Sequence, residues 1–334
     1  MQQQFQPQRR PFLALAGLPL AALLAPRHAL AQEPGIQDES WTDSARRRAI
    51  PVRLRWPVAS SAQANSMSMV LFTHGLGGSR DGGAVWGEAW ANAGFVVLHL
   101  QHPGSDIEAM RSTGSRFTNP AALRRLGSAQ QLMTRLQDVG FVLDEIGRRS
   151  AAGQGRWAGV RAQEIGLCGH SFGAYTTLGM AGQRYPGFSG VSEPRLAAFI
   201  ALSPSPPANA DAVAAFARIT RPVLCITGSR DSDVAGTGAT PHQRASIFDA
   251  LPASKKSQLV LEDADHLTFA GQTGRSAEII DRQAVTRRLQ PQHQSVVASI
   301  TTDWWRTHLL RDAQARNRLT QPPELAAGDR WQTG

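Results

Sequence analysis

Four short stretches of the chain join a strand-ending turn to a side chain able to attack a carbonyl or carry a proton. Gly169-His170-Ser171-Phe172-Gly173 places a serine between two glycines spaced four apart, directly after the apolar run IGLC. On a sharp strand-to-helix turn such a serine presents its hydroxyl at a helix N-terminus, where the dipole favours developing negative charge. Five residues alone would equally suit a structural serine in a glycine turn, so the rest of the chain has to supply partners. Asp263-Ala264-Asp265-His266 follows the run QLVLE and offers His266 as a general base. Gly228-Ser229-Arg230-Asp231-Ser232-Asp233 follows PVLCIT and offers an acid to hold that imidazole. Asp231, three residues after the strand-end glycine, is the expected acid, with Asp233 as the alternative. Thr73-His74-Gly75-Leu76-Gly77-Gly78 follows SMVLF and can aim backbone N–H groups at a carbonyl oxygen. The expected oxyanion donors are the N–H groups of Leu76 and Phe172.

Other chemistries fit less well. The glycine-rich loop lacks the G-x-x-x-x-G-K-[ST] pattern of a phosphate cradle. Asp263, Asp265 and His266 could be metal ligands, yet no second His/Cys cluster has a matching spacing, and no metal or cofactor is implied.

The elements that must position these groups alternate. Apolar runs at 50–57, 68–75, 95–104, 165–171, 196–204, 222–229 and 257–266 read as strands, several nearly continuous in hydrophobicity, as strands buried on both faces are. Between them, Leu132, Leu136, Val139, Leu143 and Ile146 recur at helical steps. Further helices are expected from Gly173 to about Arg184 and from Ser295 to Leu310. The alternation implies an α/β fold with a mostly parallel, doubly wound sheet and helices on both faces. Functional groups of such sheets gather at the C-terminal strand ends, where all four stretches lie.

The chain has 334 residues, 42% of them hydrophobic, and a net charge of +9. Residues 1–31 place Arg9 and Arg10 before an apolar stretch too short for a comfortable membrane span, and end in Ala29-Leu30-Ala31. They read as a removed export signal with the twin-arginine pattern Arg9-Arg10-Pro11-Phe12-Leu13, giving a periplasmic or secreted protein; an uncleaved anchor is the competing reading. Without the three arginines of that segment the charge falls from +9 to about +6, a mildly basic surface with no nucleic-acid signature. Residues 32–45 read as a linker, 46–316 as one catalytic domain and 317–334 as a flexible tail. Cys168 and Cys225 fall on strands expected to be two spacings apart, about 10 Å, beyond the roughly 7 Å a disulfide spans. Two buried free thiols follow.

The order Ser171, Asp231, His266 matches the α/β-hydrolase chain order. The chain resembles bacterial dienelactone-hydrolase-like proteins related to the plasma, serine-dependent type of platelet-activating-factor acetylhydrolase. The segments RRRAIPVRLRWP, LFTHGLGGSR, VVLHLQHPGSD, RLQDVGFVLDEI, GHSFGAYTT, ITGSRDSD and DADHLTFAG carry the likeness over roughly residues 47–270. The resemblance implies an α/β-hydrolase fold with Ser171 as nucleophile, Asp231 as acid and His266 as base. Dienelactone hydrolase proper uses a cysteine nucleophile, so lactone opening is not carried over.

Only residues 204–221 separate two of the strands, too few for a cap domain, and the site is expected to be open. His74, His170, Trp86 and His102 are the candidate pocket residues, with Trp90 nearby and Pro103–Ser128 as a candidate mobile wall. The expected activity is hydrolysis of a small-molecule or lipid-like ester through an acyl-enzyme. A peptidase or amidase with the same triad, a phospholipid-acetyl hydrolase, and a non-catalytic binding protein on the same scaffold remain alternatives.

Overall fold

A computed structural model describes residues 35–57, 66–114, 119–206, 211–233, 238–253, 255–272 and 282–334. The expected export signal lies outside the described residues.

The chain opens with a hairpin of β1 (Ile36–Asp43) and β2 (Arg48–Arg55), then runs through β3 (Met69–Thr73), α1 (Ala84–Asn92) and β4 (Val96–Leu100). Two short helices, α2 (Ile107–Ser112) and α3 (Pro120–Leu126), lead into the long α4 (Ala129–Ala152). Then come β5 (Ile165–His170), α5 (Phe172–Ala181), β6 (Leu196–Leu202), α6 (Ala212–Phe216) and β7 (Val223–Arg230). The chain continues with α7 (Pro241–Ala245), α8 (Ile247–Ala250), β8 (Lys256–Asp265), α9 (Ala284–Leu309), α10 (Ala313–Thr320) and β9 (Arg330–Thr333).

All nine strands form one sheet in the order β1-β2-β4-β3-β5-β6-β7-β8-β9. The six from β4 to β8 pair in parallel, while β1, β2 and β9 add antiparallel edges. Strand order reverses at β3, which sits between its successor β4 and β5, and such a switch point opens a crevice at the strand ends. Thr73 and Gly169 are register partners there, so the glycine-rich loop and the serine turn leave the sheet side by side.

Alternation along β3 explains the layering. Met69 and Leu71 pack with α4 and α5 through Leu136, Val139, Leu143 and Leu178, whereas Val70 and Phe72 face α1 and α9 through Trp86, Trp90 and Trp305. Both faces are covered, as near-continuous hydrophobic strands require. Cys168 and Cys225 lie on β5 and β7 with β6 between them, both buried and free.

Two boundary expectations are corrected. The stretch 32–45, expected to be a linker, contains β1, whose eight residues pair in full with β2. Its polar sequence is that of an edge strand: only Trp41 and Asp43 are buried. The stretch 317–334, expected to be flexible, holds the end of α10 and then β9, which pairs along β8, with Trp331 Nε1 donating to the Leu319 carbonyl at 2.9 Å. The last long helix also starts eleven residues earlier than expected and contains Pro291. Between β6 and β7 the described residues hold only α6. No described helix is long and apolar enough to cross a membrane.

Candidate active site

The turn between β5 and α5 leaves no freedom at its apex. Ser171 adopts φ 56° and ψ −115°, in the positive-φ half of the map that L-residues avoid. Its N–H is fixed by the Leu202 carbonyl at 2.9 Å, and its own carbonyl accepts from the Tyr175 N–H at 3.0 Å. A Cβ on Gly169 would collide with the Gly173 carbonyl, and one on Gly173 with the Thr73 carbonyl. Both glycines are therefore required by the close crossing of the two chains. Strain of this kind persists only where the surroundings enforce it, and it marks functional positions.

His266 begins the turn after β8, and Asp231 follows β7. Asp231 Oδ1 lies 2.7 Å from His266 Nδ1, and Ser171 Oγ lies 2.9 Å from His266 Nε2. A carboxylate only accepts, so Nδ1 carries the proton and Nε2 is left to accept from the serine hydroxyl. Thr227 Oγ1 donates to the second carboxylate oxygen at 2.8 Å. Arg244, fully buried on α7, donates its Nε to the Asp231 carbonyl at 2.9 Å and lies 3.1 Å from Oδ1. Burial alone would raise the Asp231 pKa, but the His266 ring, its hydrogen bond and Arg244 more than offset this and hold it below the ordinary carboxylate value.

The alternative acid is not at the site. Asp233 accepts from the Gly238 N–H in its own loop at 2.8 Å. Asp263 pairs with Arg230, and Asp265 binds Arg282 and caps the turn that His266 opens.

Both expected oxyanion donors border the serine. Phe172 is the first residue of α5, and a helix leaves that N–H without an internal partner. Leu76 lines the same cavity as Ser171, and among the described residues its N–H donates to no protein acceptor. Its side chain instead packs on the small cluster of Met110, Leu123 and Leu126 from α2 and α3.

The four pocket candidates divide. His170 lines the cavity, and its Nε2–H donates to the His266 carbonyl at 2.9 Å, so the residue before the serine holds the backbone of the imidazole. Burial, with the neighbouring His266, pulls its pKa to about 3 and keeps it neutral. His74 also borders the cavity, with Nδ1 2.6 Å from the Gly75 carbonyl and Nε2 accepting from the His102 N–H at 3.0 Å. Trp86 does not reach the pocket: it is fully buried under α9, its Nε1 donating to the Phe269 carbonyl at 3.1 Å. Trp90 is likewise core, bonded to Thr301. His102 also turns away, placing Nδ1 3.0 Å from Asp138 on α4. A helix with tryptophans four apart buries both on one stripe, which the sequence reading took for pocket wall.

The cavity has a volume of about 740 Å³ and runs from Ser171 and His266 along the glycine-rich loop to Arg55. That size suits a small ligand or part of a larger one. The 103–128 segment contributes Ile107, Glu108 and Arg111 to its wall, all from α2.

Sequence reasoning missed Thr227 and Arg244 beside Asp231, and Arg135 and Asp138 behind the glycine-rich loop. The last two left a signal, since both are charged residues on the buried stripe of an amphipathic helix. A scan against protein-family models finds no match, and neither does a search of the curated proteins.

Proposed function

We propose that this protein is a serine hydrolase of the α/β-hydrolase type that cleaves carboxylic esters through an acyl-enzyme. The observation that carries the reading is the continuous line of hydrogen bonds from Asp231 through His266 to Ser171, at 2.7 and 2.9 Å, ending on a residue held at positive φ. Ser171 Oγ attacks the ester carbonyl as His266 Nε2 takes its proton, and the Leu76 and Phe172 N–H groups receive the oxyanion. The imidazolium then returns the proton to the departing alcohol. Asp231 stays ionised and stabilises the charged ring throughout. Water repeats the sequence on the acyl-enzyme to release the acid. The absence of a cap among the described residues between β6 and β7 favours an open site accepting esters of varied shape.

The test is direct. The purified protein hydrolyses p-nitrophenyl acetate or butyrate and is labelled by a fluorophosphonate at Ser171, and Ser171→Ala loses at least about a thousandfold in kcat. Full activity in that variant would remove the assignment.

A further inference from the structure

Arg135 is fully buried on α4, and among the described residues no carboxylate lies within ion-pair distance of it. Burial lowers its pKa to about 9, still above neutral pH, so the guanidinium is charged. Asp138 and Asp106 favour its charge only through space, and a buried charge without a contacting counter-ion is expensive. Its donors are spent on two neighbouring loops, the glycine-rich one after β3 and the one after β4. Nε donates to Ser105 Oγ at 2.8 Å, one terminal nitrogen to the His74 carbonyl at 2.7 Å, and the other to the Gly75 and Ser105 carbonyls at 3.4 Å. The guanidinium also stacks 4.4 Å from the centre of the Phe172 ring.

The Gly75 carbonyl belongs to the same peptide unit as the Leu76 N–H, and the Phe172 ring belongs to the residue that supplies the second expected donor. His74 Nδ1 lies 2.6 Å from the same Gly75 carbonyl. Donors at a peptide oxygen draw electron density toward it and make the N–H at the other end a stronger donor, as hydrogen bonds in chains polarise one another. One buried cation thus touches the carbonyl of the Gly75–Leu76 peptide and the ring of Phe172, the two units that would supply the oxyanion donors.

Building on the serine-hydrolase reading above, we propose that Arg135 is a positioning residue of the oxyanion hole. It fixes and polarises the Gly75–Leu76 peptide, braces Phe172, and supplies a buried positive charge that favours the tetrahedral oxyanion over the neutral ester. It contacts no reacting atom; its effect passes through the two N–H groups.

The experiment compares the full-length protein with Arg135→Gln and Arg135→Lys. Each is assayed for kcat and KM on p-nitrophenyl acetate and for inhibition by an aryl trifluoromethyl ketone. Ser171 Oγ adds to the ketone carbon, the carbonyl pair becomes an oxyanion and the hydroxyl proton passes to His266, so the inhibitor reports on oxyanion stabilisation. In Arg135→Gln, kcat falls about fiftyfold, less than the hundredfold or more that removing a donor itself brings. KM stays within about threefold, and the ketone Ki rises in parallel with the loss of kcat/KM. Arg135→Lys, which keeps the charge, stays within about fivefold of the unmodified protein.

The proposal is overturned by a glutamine variant whose kcat changes less than threefold, by a fall in kcat that leaves the ketone Ki unchanged, or by equal losses in both variants. If Arg135→Gln does not fold, the lysine variant decides alone. Retention of kcat and ketone Ki despite a lower melting temperature supports the role, and loss of kcat beyond fiftyfold with the ketone Ki unchanged overturns it. An unmodified protein that neither cleaves the ester nor is labelled at Ser171 removes the serine-hydrolase reading and this inference with it. A labelled, active protein giving any of the overturning results removes this inference alone.

Discussion

Acidification from pH 7.5 to pH 5 should cost this fold much of its stability, and the loss can be worked from three imidazoles. His99, His102 and His170 are buried, with pKa values drawn down by that burial to about 3, 4 and 3. Each uses one ring nitrogen: His99 toward the Gly82 carbonyl at 2.9 Å, His102 toward Asp138 at 3.0 Å, His170 toward the His266 carbonyl at 2.9 Å. The remaining nitrogens of His99 and His102 have no partner among the described residues, so a second proton there would be buried without an acceptor. The unfolded chain binds protons at the ordinary pKa of about 6.5 while the folded chain does not. Stability is therefore full above about pH 7 and falls as the pH descends through 6.5 toward 4. At pH 5 each ring has lost about 2 kcal/mol relative to pH 7.5, about 6 kcal/mol for the three, against a typical total of roughly 5–15 kcal/mol. His74, held well below its usual value by burial and by Arg135, acts in the same direction. Asp138 is kept near 2: burial raises it, but the bonds from His102 and Arg48 more than offset this, so it stays ionised across the window. Urea unfolding at constant ionic strength from pH 7.5 to 5 should give a slope near pH 5.5 of at least about three protons, or at least about 4 kcal/mol per pH unit. His99→Gln should remove about one proton from that slope. A stability that is flat to pH 5, or a slope below one proton, would refute the claim that these rings are neutral in the fold.

Three other outcomes follow from the site and the core. Asp231→Asn should lower kcat about ten-thousandfold by leaving His266 in the wrong tautomer, while Asp233→Asn stays within threefold; steady-state kinetics of the pair separates the two acids. Gly173→Ala drives a methyl into the Thr73 carbonyl. It should cost about 1–3 kcal/mol in urea unfolding and most of the proposed ester hydrolysis; an active, equally stable variant would contradict the crossing described. Burial raises the Cys168 thiol well above its usual pKa and the Cys225 thiol to about 12, so a thiol reagent at pH 8 should find neither in the native protein and both after denaturation.

The sequence made the centre of the fold legible and its margins obscure, for a common reason. Strands β3 to β8 are buried on both faces and announce themselves as apolar runs, and their C-terminal ends carry the serine, acid and imidazole that the structure joins by hydrogen bonds. Edge strands bury little. In β1 only Trp41 and Asp43 are covered, and in β9 no residue is fully buried, so the pairing that defines them leaves almost no hydrophobic pattern. The failure at Trp86 and Trp90 has another source: the expectation of a pocket position for them set aside their spacing of four residues on α1, which places both on the stripe facing α9.

Arg135 and Asp138 show how that second signal can be put to use. Together with Leu132, Leu136 and Val139 they occupy the buried face of α4, where burying a charge is costly unless it is paired or hydrogen-bonded. The structure shows what meets the cost. Asp138 gathers Arg46, Arg48 and His102, and Arg135 gathers the carbonyls of His74, Gly75 and Ser105. His74 and His102 join the two clusters through the bond from the His102 N–H to His74 Nε2. The loop that carries Leu76 is thus supported by buried polar groups as well as by the packing of Leu76 on Met110, Leu123 and Leu126. Polar support fixes the direction of a peptide N–H in a way that packing of apolar side chains does not, and direction is what an oxyanion donor needs.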